Sequence, residues 1–382
     1  MTLKAAKRGA IPPFIVMDVM RAAAEREATG NDVMHMEVGQ PGTSAADAVL
    51  IAAHAALEDN RIGYTLAFGI PELRERLAQH YNDYYGLGVS SERIAITTGS
   101  SGAFIVSFLS AFDAGDRVAL ANPGYPAYRN ILKALDIEPV GMPVGPETNF
   151  QPTPTSLDAV EGKLDGLIIA SPSNPTGTMI SADELRVLVG YCKERGIRLI
   201  SDEIYHGITY EERAQSVLAY SDDAIIINSF SKYFSMTGWR LGWMVVPEPL
   251  LRPVECLLQN FFISPPTLSQ VAAVAAFDCR EQLDGYVANY RKNRDLLLEL
   301  LPKAGFDKLS HAEGAFYLYA DVSHLTNDSE EFCRRCLAET GVAITPGVDF
   351  DPERGNHFVR FSFAGPFSDM AEAGRRLINW KR

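Results

Sequence analysis

Basic charge, cysteine and long apolar runs are scarce in this 382-residue sequence. Lys plus Arg number 35 against 48 Asp plus Glu, a formal charge of −13. Non-specific nucleic-acid binding runs on a basic face, so this balance argues against nucleic acid as a partner while leaving room for a local basic pocket that takes a small anion. The longest run of small apolar residues, Val271 to Phe277, falls far below the ~20 residues a membrane-spanning helix needs. Behind the basic residues of Met1 to Ala10, the stretch Ile11 to Met20 is broken by Pro12, Pro13 and Asp18, which is not the pattern of a signal peptide. A cytoplasmic protein with no membrane partner is expected. The cysteines, Cys192, Cys256, Cys279, Cys333 and Cys336, are odd in number, and without a secretory leader they are expected to be reduced thiols. Cys333 and Cys336 have C-x-x-C spacing, but no second such pair and no histidine pair accompanies them. Two thiols one turn apart on a helix is the expected reading, with no metal site. There is no G-x-x-x-x-G-K-[ST] loop and no dinucleotide fingerprint. Internal repeats and low-complexity linkers are absent too.

What is present is an alternation of short β-branched runs with longer helical patterns. The chain exceeds the length at which one core keeps growing, so two domains are expected. Candidate strands are Arg93–Thr97, Arg117–Ala121, Glu138–Met142, Gly166–Ser171, Ile197–Asp202 and Ala224–Ser229. Several are nearly continuous apolar runs, as in strands buried on both faces. Helical patterns lie between them at Ser100–Phe112, Tyr125–Ala134 and Ser181–Arg195, the last opening on a capping box formed by Ser181 and Glu184. This rhythm predicts an α/β domain with a mostly parallel sheet. Beyond about Pro247 the pattern changes. Helical stretches at Glu248–Phe262 and Leu268–Leu301 are followed by strands at Gly314–Asp321, Val342–Thr345 and His357–Phe363, with helices at Ser329–Thr340 and Ser368–Trp380. That predicts a smaller α+β domain, with the boundary inside the long helix near Asp278–Asp295.

Open α/β sheets bind ligands beyond the carboxyl ends of their strands, and the unusual residues cluster there. Gly99-Ser100-Ser101-Gly102, Asn122-Pro-Gly-Tyr125, Ser173-Asn174-Pro175-Thr176-Gly177, Asp202-Glu203-Ile204-Tyr205 and Ser229-Phe-Ser231-Lys232 each follow a candidate strand. A lone lysine after a strand is usually a solvated charge. Lys232, however, is flanked by the hydroxyls of Ser229 and Ser231, with Arg240 eight residues on. Hydroxyls and a guanidinium fork suit a phosphate, and a lysine beside such a site is a candidate imine-forming amine. Gly99, Ser100 and Ser101 sit where a strand becomes a helix, so their amides suit a single phosphate, although an ordinary N-cap has the same composition. Asp202 ends an apolar strand, where a carboxylate caps a helix, binds a metal, for which no His or Cys cluster speaks, or faces a protonated ring nitrogen. Tyr205 is placed to hydrogen-bond a ring oxygen and Tyr125 to stack on a ring. Asn174-Pro175 reads as a rigid turn, and the Asn174 amide as a donor to a ring hydroxyl. Arg360, in the apolar strand Phe358–Phe363, shares a face with Phe358 and Ser362. An arginine on a half-buried face is a carboxylate clamp.

Taken together, these segments resemble the fold-type I pyridoxal-phosphate enzymes, and among them the class I/II aminotransferases of the aspartate aminotransferase superfamily. The resemblance runs from Val38-Gly39-Gln40-Pro41 to Arg360. Its most specific piece is S-x-S-K-x-x-x-M-T-G-W-R at 229–240, supported by S-N-P-T-G at 173–177 and S-D-E-I-Y at 201–205. It implies a large domain over 45–285 with a mostly parallel seven-stranded sheet, and a small α+β domain made of 1–44 with 286–382. It also implies that Lys232 holds pyridoxal 5′-phosphate as a Schiff base and shuttles a proton, and that Asp202 pairs with the pyridine nitrogen. Asn174 and Tyr205 would contact the ring oxygen, and Tyr125 would stack on the ring. Gly99, Ser100, Ser101, Ser229, Ser231 and Arg240 would hold the phosphate. Arg360 would bind the substrate carboxylate, under a closing loop that contains Gly39. Tyr64, in Gly63-Tyr64-Thr-Leu-Ala-Phe-Gly69, resembles the tyrosine that reaches the phosphate of the partner subunit, which implies a homodimer with shared sites. The implied activity is ping-pong transfer of an amino group from an L-amino acid to a 2-oxo acid, aspartate-type or broad. Ser101 stands where some bacterial aspartate aminotransferases place a lysine, a departure that weakens the case for dicarboxylates. The competing readings are a β-eliminating C–S lyase, an effector-sensing DNA-binding regulator and an acyltransferase of the same fold. Release of pyruvate and ammonia without an acceptor would mark the first, and binding to specific DNA the second.

Overall fold

The computed structural model describes residues 3–60 and 62–381; the first two residues of the basic amino-terminal stretch lie outside them. Near the amino terminus are helix α1 (Ile15–Ala28), the two-residue strand β1 (Met34–His35), α2 (Asp47–Glu58) and α3 (Pro71–Tyr85). The strands β2 (Ile94–Thr97), β3 (Arg117–Asn122), β4 (Glu138–Pro143), β5 (Gly166–Ala170), β6 (Arg198–Asp202), β7 (Ile225–Ser229) and β8 (Gly242–Val245) form one sheet in the order β2-β8-β7-β6-β5-β3-β4. Between them run α4 (Gly99–Ala111), α5 (Pro126–Ala134), the short α6 (Pro154–Asp158) and α7 (Ala182–Arg195). Ser181 caps α7 through the expected reciprocal box with Glu184. Side chains from α4 and α5 pack one face of the sheet, and those from α3 and α7 pack the other. Both faces are therefore dry, which is why β2, β5, β7 and β8 carry no exposed residue.

β8 runs antiparallel to both its neighbours, with Gly242 opposite Thr97 on one side and Ser229 on the other. It is the strand that the sequence reading does not assign: four residues opening on a glycine carry too little periodic signal. Its direction matters, because an antiparallel strand starts at the edge where its parallel neighbours end. Arg240 is thereby returned beside the segments after β2 and β7.

After the sheet, α8 (Leu251–Phe261) lies within the first expected helical stretch, but the second is broken, contrary to expectation. It comprises α9 (Thr267–Val274), a 3-10 turn over Ala275–Asp278 and α10 (Arg280–Lys303). The apolar period continues through the break, but Cys279 leaves helical geometry at φ −100° and ψ 22°. α10 places Leu283 in the core of the large sheet and Tyr290, Leu297 and Leu301 in a second core. That second core is closed by β9 (Lys308–Leu309), β10 (Tyr317–Asp321), α11 (Ser329–Thr340), β11 (Val342–Ala343), β12 (Thr345–Pro346), β13 (Phe358–Ser362) and α12 (Phe367–Asn379). β12, β13, β10 and β9 make an antiparallel sheet, while β1 pairs with β11 and so ties the amino terminus to this unit. Cys333 and Cys336 lie one turn apart on α11, and both are buried. Among the described residues, no helix is long and apolar enough to cross a membrane.

Candidate active site

The carboxyl ends of the parallel strands open into a cavity of about 540 Å³. It gathers most of the candidate residues: Gly39, Ser100, Ser101, Tyr125, Asn174, Asp202, Tyr205, Ser231, Lys232, Arg240 and Arg360 all line it. Gly99 and Ser229 lie just behind this surface, and Tyr64 lies away from it. Gly99 has φ +72°, a conformation that favours glycine, and a Cβ there would sit 2.6 Å from Arg240 Nη2. The guanidinium therefore lies directly over the turn into α4, beside the helix-start amides of Ser100 and Ser101. The Ser229 hydroxyl is buried, accepts from the Ser231 N–H at 3.1 Å and lies 2.9 Å from the Ser231 hydroxyl. Tyr64 is 83% exposed.

Lys232 Nζ donates to the Gly39 carbonyl at 2.5 Å. Burial pushes its pKa down to about 8, and the Arg360 and Arg240 cations add to this while Asp202 opposes it. Asp202 is 3% exposed. Burial raises its pKa to about 6, even though Tyr128 and the Ile204 N–H donate to it. The Lys232 cation also favours the charged form, but it acts through space and does not offset the burial. Asn174-Pro175 is cis. Asn174 Oδ1 accepts from Arg360 Nη1 at 2.8 Å, leaving the amide N–H groups for a ligand. Arg360 is not half-buried, as its strand pattern suggests, but 2% exposed. Its guanidinium lies between the Tyr317 and Phe350 rings, 4.5 and 4.7 Å from their centroids. Nη2 also donates to the Glu37 carbonyl and to Thr345 Oγ1. Three hydrogen bonds leave part of its five-donor fork free.

The chain matches the family "Aminotransferase class I and II" over residues 31–377. It is 52% identical to a valine–pyruvate aminotransferase of Mycobacterium tuberculosis, over 100% of this chain and 99% of that protein. An aspartate aminotransferase of Sulfurisphaera tokodaii is 31% identical, over 95% of this chain and 93% of that one. A crystal structure of an aminotransferase from Mycobacterium tuberculosis superposes with TM-score 0.97 at 52% identity, covering 99% of both chains. The chain belongs to the class I and II aminotransferases. It is a transaminase, moving an amino group to a 2-oxo acid, on the fold-type I scaffold that the motifs at 173–177, 201–205 and 229–240 imply.

Two tyrosines of this aminotransferase that face the cavity escape the sequence reading. Tyr128 donates its hydroxyl to Asp202 Oδ2. The signal for it is present, since Tyr128 follows Tyr125 by three residues and so shares its side of α5. Tyr317 packs on Arg360, and its hydroxyl lies 2.7 Å from that of Tyr205. A Cβ on Gly39 would strike the Tyr317 hydroxyl, so the loop over Lys232 approaches this closely only as glycine. Nothing local marks Tyr317, because its neighbours Phe316 and Tyr319 are aromatic core residues too.

Proposed function

We propose that this aminotransferase exchanges amino groups between a neutral aliphatic L-amino acid, valine being the reference case, and a small 2-oxo acid such as pyruvate. One observation carries the choice of substrate. Phe14, Val16, Met17 and Met20 form an apolar wall of the cavity, and every cation lining it has another task. Lys232 is the reacting amine, Arg240 lies over the phosphate turn, and Arg360 is the carboxylate clamp. A second substrate carboxylate would meet no uncommitted cation among the described residues that line the cavity, and burying it unpaired is costly. The name of the relative at 52% identity points the same way.

The residues fit pyridoxal phosphate. The α4 amides with Ser231 and Arg240 form a phosphate end, and Ser229 orients Ser231. Asp202 needs a cation such as a protonated ring nitrogen. The Asn174 amide and the Tyr205 hydroxyl would donate to a ring oxygen, and Tyr125 would cover a ring face. Bound there, the cofactor supplies a sink for electrons released at the substrate α-carbon. Lys232 Nζ takes the α-proton and later returns it, and a pKa near 8 suits that shuttle. Arg360 holds the α-carboxylate, and the Gly39 carbonyl that holds Lys232 is released when the amine reacts. We further propose a cytoplasmic homodimer with shared sites. Tyr64, with Ile62 and Leu66 also exposed, would reach the phosphate end of the second copy. Each chain would work as two units, 45–285 and 1–44 with 286–382, joined through α10.

A donor panel tests the substrate reading. With pyruvate as acceptor, valine is expected to exceed aspartate in kcat/KM by roughly a hundredfold, the scale of a carboxylate left unpaired. Aspartate equal to valine overturns it. The amine has its own test. A pKa of about 8 leaves about a tenth of Lys232 neutral at pH 7, roughly 300-fold more than an ordinary lysine. Cofactor-free enzyme is therefore expected to take up pyridoxal phosphate at a rate that rises with pH through a midpoint near 8. Arg360→Met should move that midpoint upward, because a neighbouring cation is lost. A midpoint at the ordinary lysine value would rule out the buried-amine account.

A further inference from the structure

Helix α1 builds the apolar wall, yet its own sequence does not cap it. Phe14, at the N-cap, makes no side-chain cap bond. The amides of its first turn end instead on a residue more than three hundred positions away. Asp349 Oδ1 accepts from the Ile15 N–H and Oδ2 from the Val16 N–H, each at 3.2 Å. Asp349 is 1% exposed and closes the 3-10 turn Gly347–Asp349 between β12 and β13. Arg129 of α5 donates to its backbone carbonyl. The next residue, Phe350, is the ring beneath Arg360. A single turn of the small unit thus fixes the start of the side-chain wall and also supports the carboxylate clamp.

We propose that Asp349 is a positioning residue for substrate selection. Its carboxylate clamps α1 so that Phe14, Val16, Met17 and Met20 stand at a set distance from Arg360, and this distance sets which side chain fits. The proposal rests on the reading of that wall as the side-chain site. A carboxylate at a helix start satisfies amides that otherwise have no partner and complements the helix dipole. Without it, the first turn of α1 loses its fixed end while the floor of the cavity stays in place.

The test uses the holoenzyme. Asp349→Asn keeps the shape but accepts through one oxygen only. KM for valine is expected to rise about tenfold, the scale of a lost cap bond, with kcat little changed. Alanine has a methyl too short to use the wall, so its KM should move much less. Hydrogen exchange at α1 should quicken, while exchange in β6 and β7 stays unchanged. Ile15→Pro is the second variant, should Asp349→Asn fail to fold. It deletes one of the clamped N–H groups at a position where proline suits a helix, after a residue that is already extended at φ −92° and ψ 100°. It should reproduce the same pattern more weakly. Unchanged exchange at α1, or an equal rise in KM for both donors, overturns the proposal. A wild-type enzyme indifferent to the donor side chain overturns the substrate reading instead, and the exchange result then still decides the clamp.

Discussion

Replacing Lys232 with alanine is expected to abolish the absorption band of the lysine-bound cofactor and to lower turnover by at least the roughly 10²–10⁴-fold that a positioned general base contributes. Two losses combine in this variant. The amine that anchors the aldehyde by a covalent bond is gone, and so is the group that carries the α-proton. Phosphate contacts from Ser231, Arg240 and the α4 amides remain, so the variant should still bind pyridoxal phosphate, more weakly and as the free aldehyde. Borohydride reduction followed by mass mapping separates these effects. Wild-type enzyme should carry the added mass on the peptide containing Lys232, and the alanine variant on none. An adduct retained on another lysine, or turnover close to wild type, would overturn the assignment. Lys232→Arg gives a useful contrast. It keeps a positive charge near Asp202 but offers no imine-forming amine, so it should fail in the same way. If the charge alone mattered, it would restore activity.

The path to Lys232 shows which parts of this protein are legible in sequence. By its own chemistry Lys232 is a surface charge. It becomes a site residue only because Ser229, Ser231 and Arg240 lie within twelve residues of chain, and because β7 and β8 bring both ends of that segment to one edge of the sheet. Strands buried on both faces read clearly, since a continuous apolar run between turn residues has few other uses. β6 and β7 lie where they are expected, each within one residue. The stretch before Arg93 reads poorly. α1, α2 and α3 precede any expected element, and none has a side-chain cap to announce its start. The missed groups share one property. Tyr128, Tyr317 and Asp349 have hydrogen-bond partners 74, 112 and more than three hundred residues away. No local window holds both members of such a pair. Arg360 is legible as a residue, but its stacking on the distant Tyr317 ring is not, for the same reason. Recurrent spacing marks the groups that line the cavity; the groups that hold them in place become visible only once the chain is folded.

Asp202 and Tyr128 turn that distinction into a measurement. Asp202→Asn keeps the size of the side chain and an oxygen to accept from the Tyr128 hydroxyl, but it removes the charge. Loss of one partner from a buried ion pair costs about 3–5 kcal/mol, which at 1.36 kcal/mol per decade is a fall of about 10²–10⁴-fold in the chemical step. Cofactor affinity should fall less, because the phosphate end is untouched. Tyr128→Phe leaves the carboxylate in place and removes one hydrogen bond to a charged group, worth about 1.5–3 kcal/mol, so the expected fall is roughly tenfold to a hundredfold. The two variants also differ in pH dependence. Burial raises the Asp202 pKa to about 6, and the Tyr128 hydroxyl works against that rise. Removing the hydroxyl raises the pKa further, so protonation sets in at a higher pH and the acid limb of the kcat/KM profile moves upward. Asp202→Asn has no such group left to titrate, so its acid limb should lose the component that this carboxylate contributes. A Tyr128→Phe profile displaced to lower pH, or an Asp202→Asn enzyme with the wild-type rate, would show that the carboxylate at the end of β6 does not hold the ring in its reactive charge state. If both behave as expected, Tyr128 acts only through Asp202, and in the double variant its own effect should vanish.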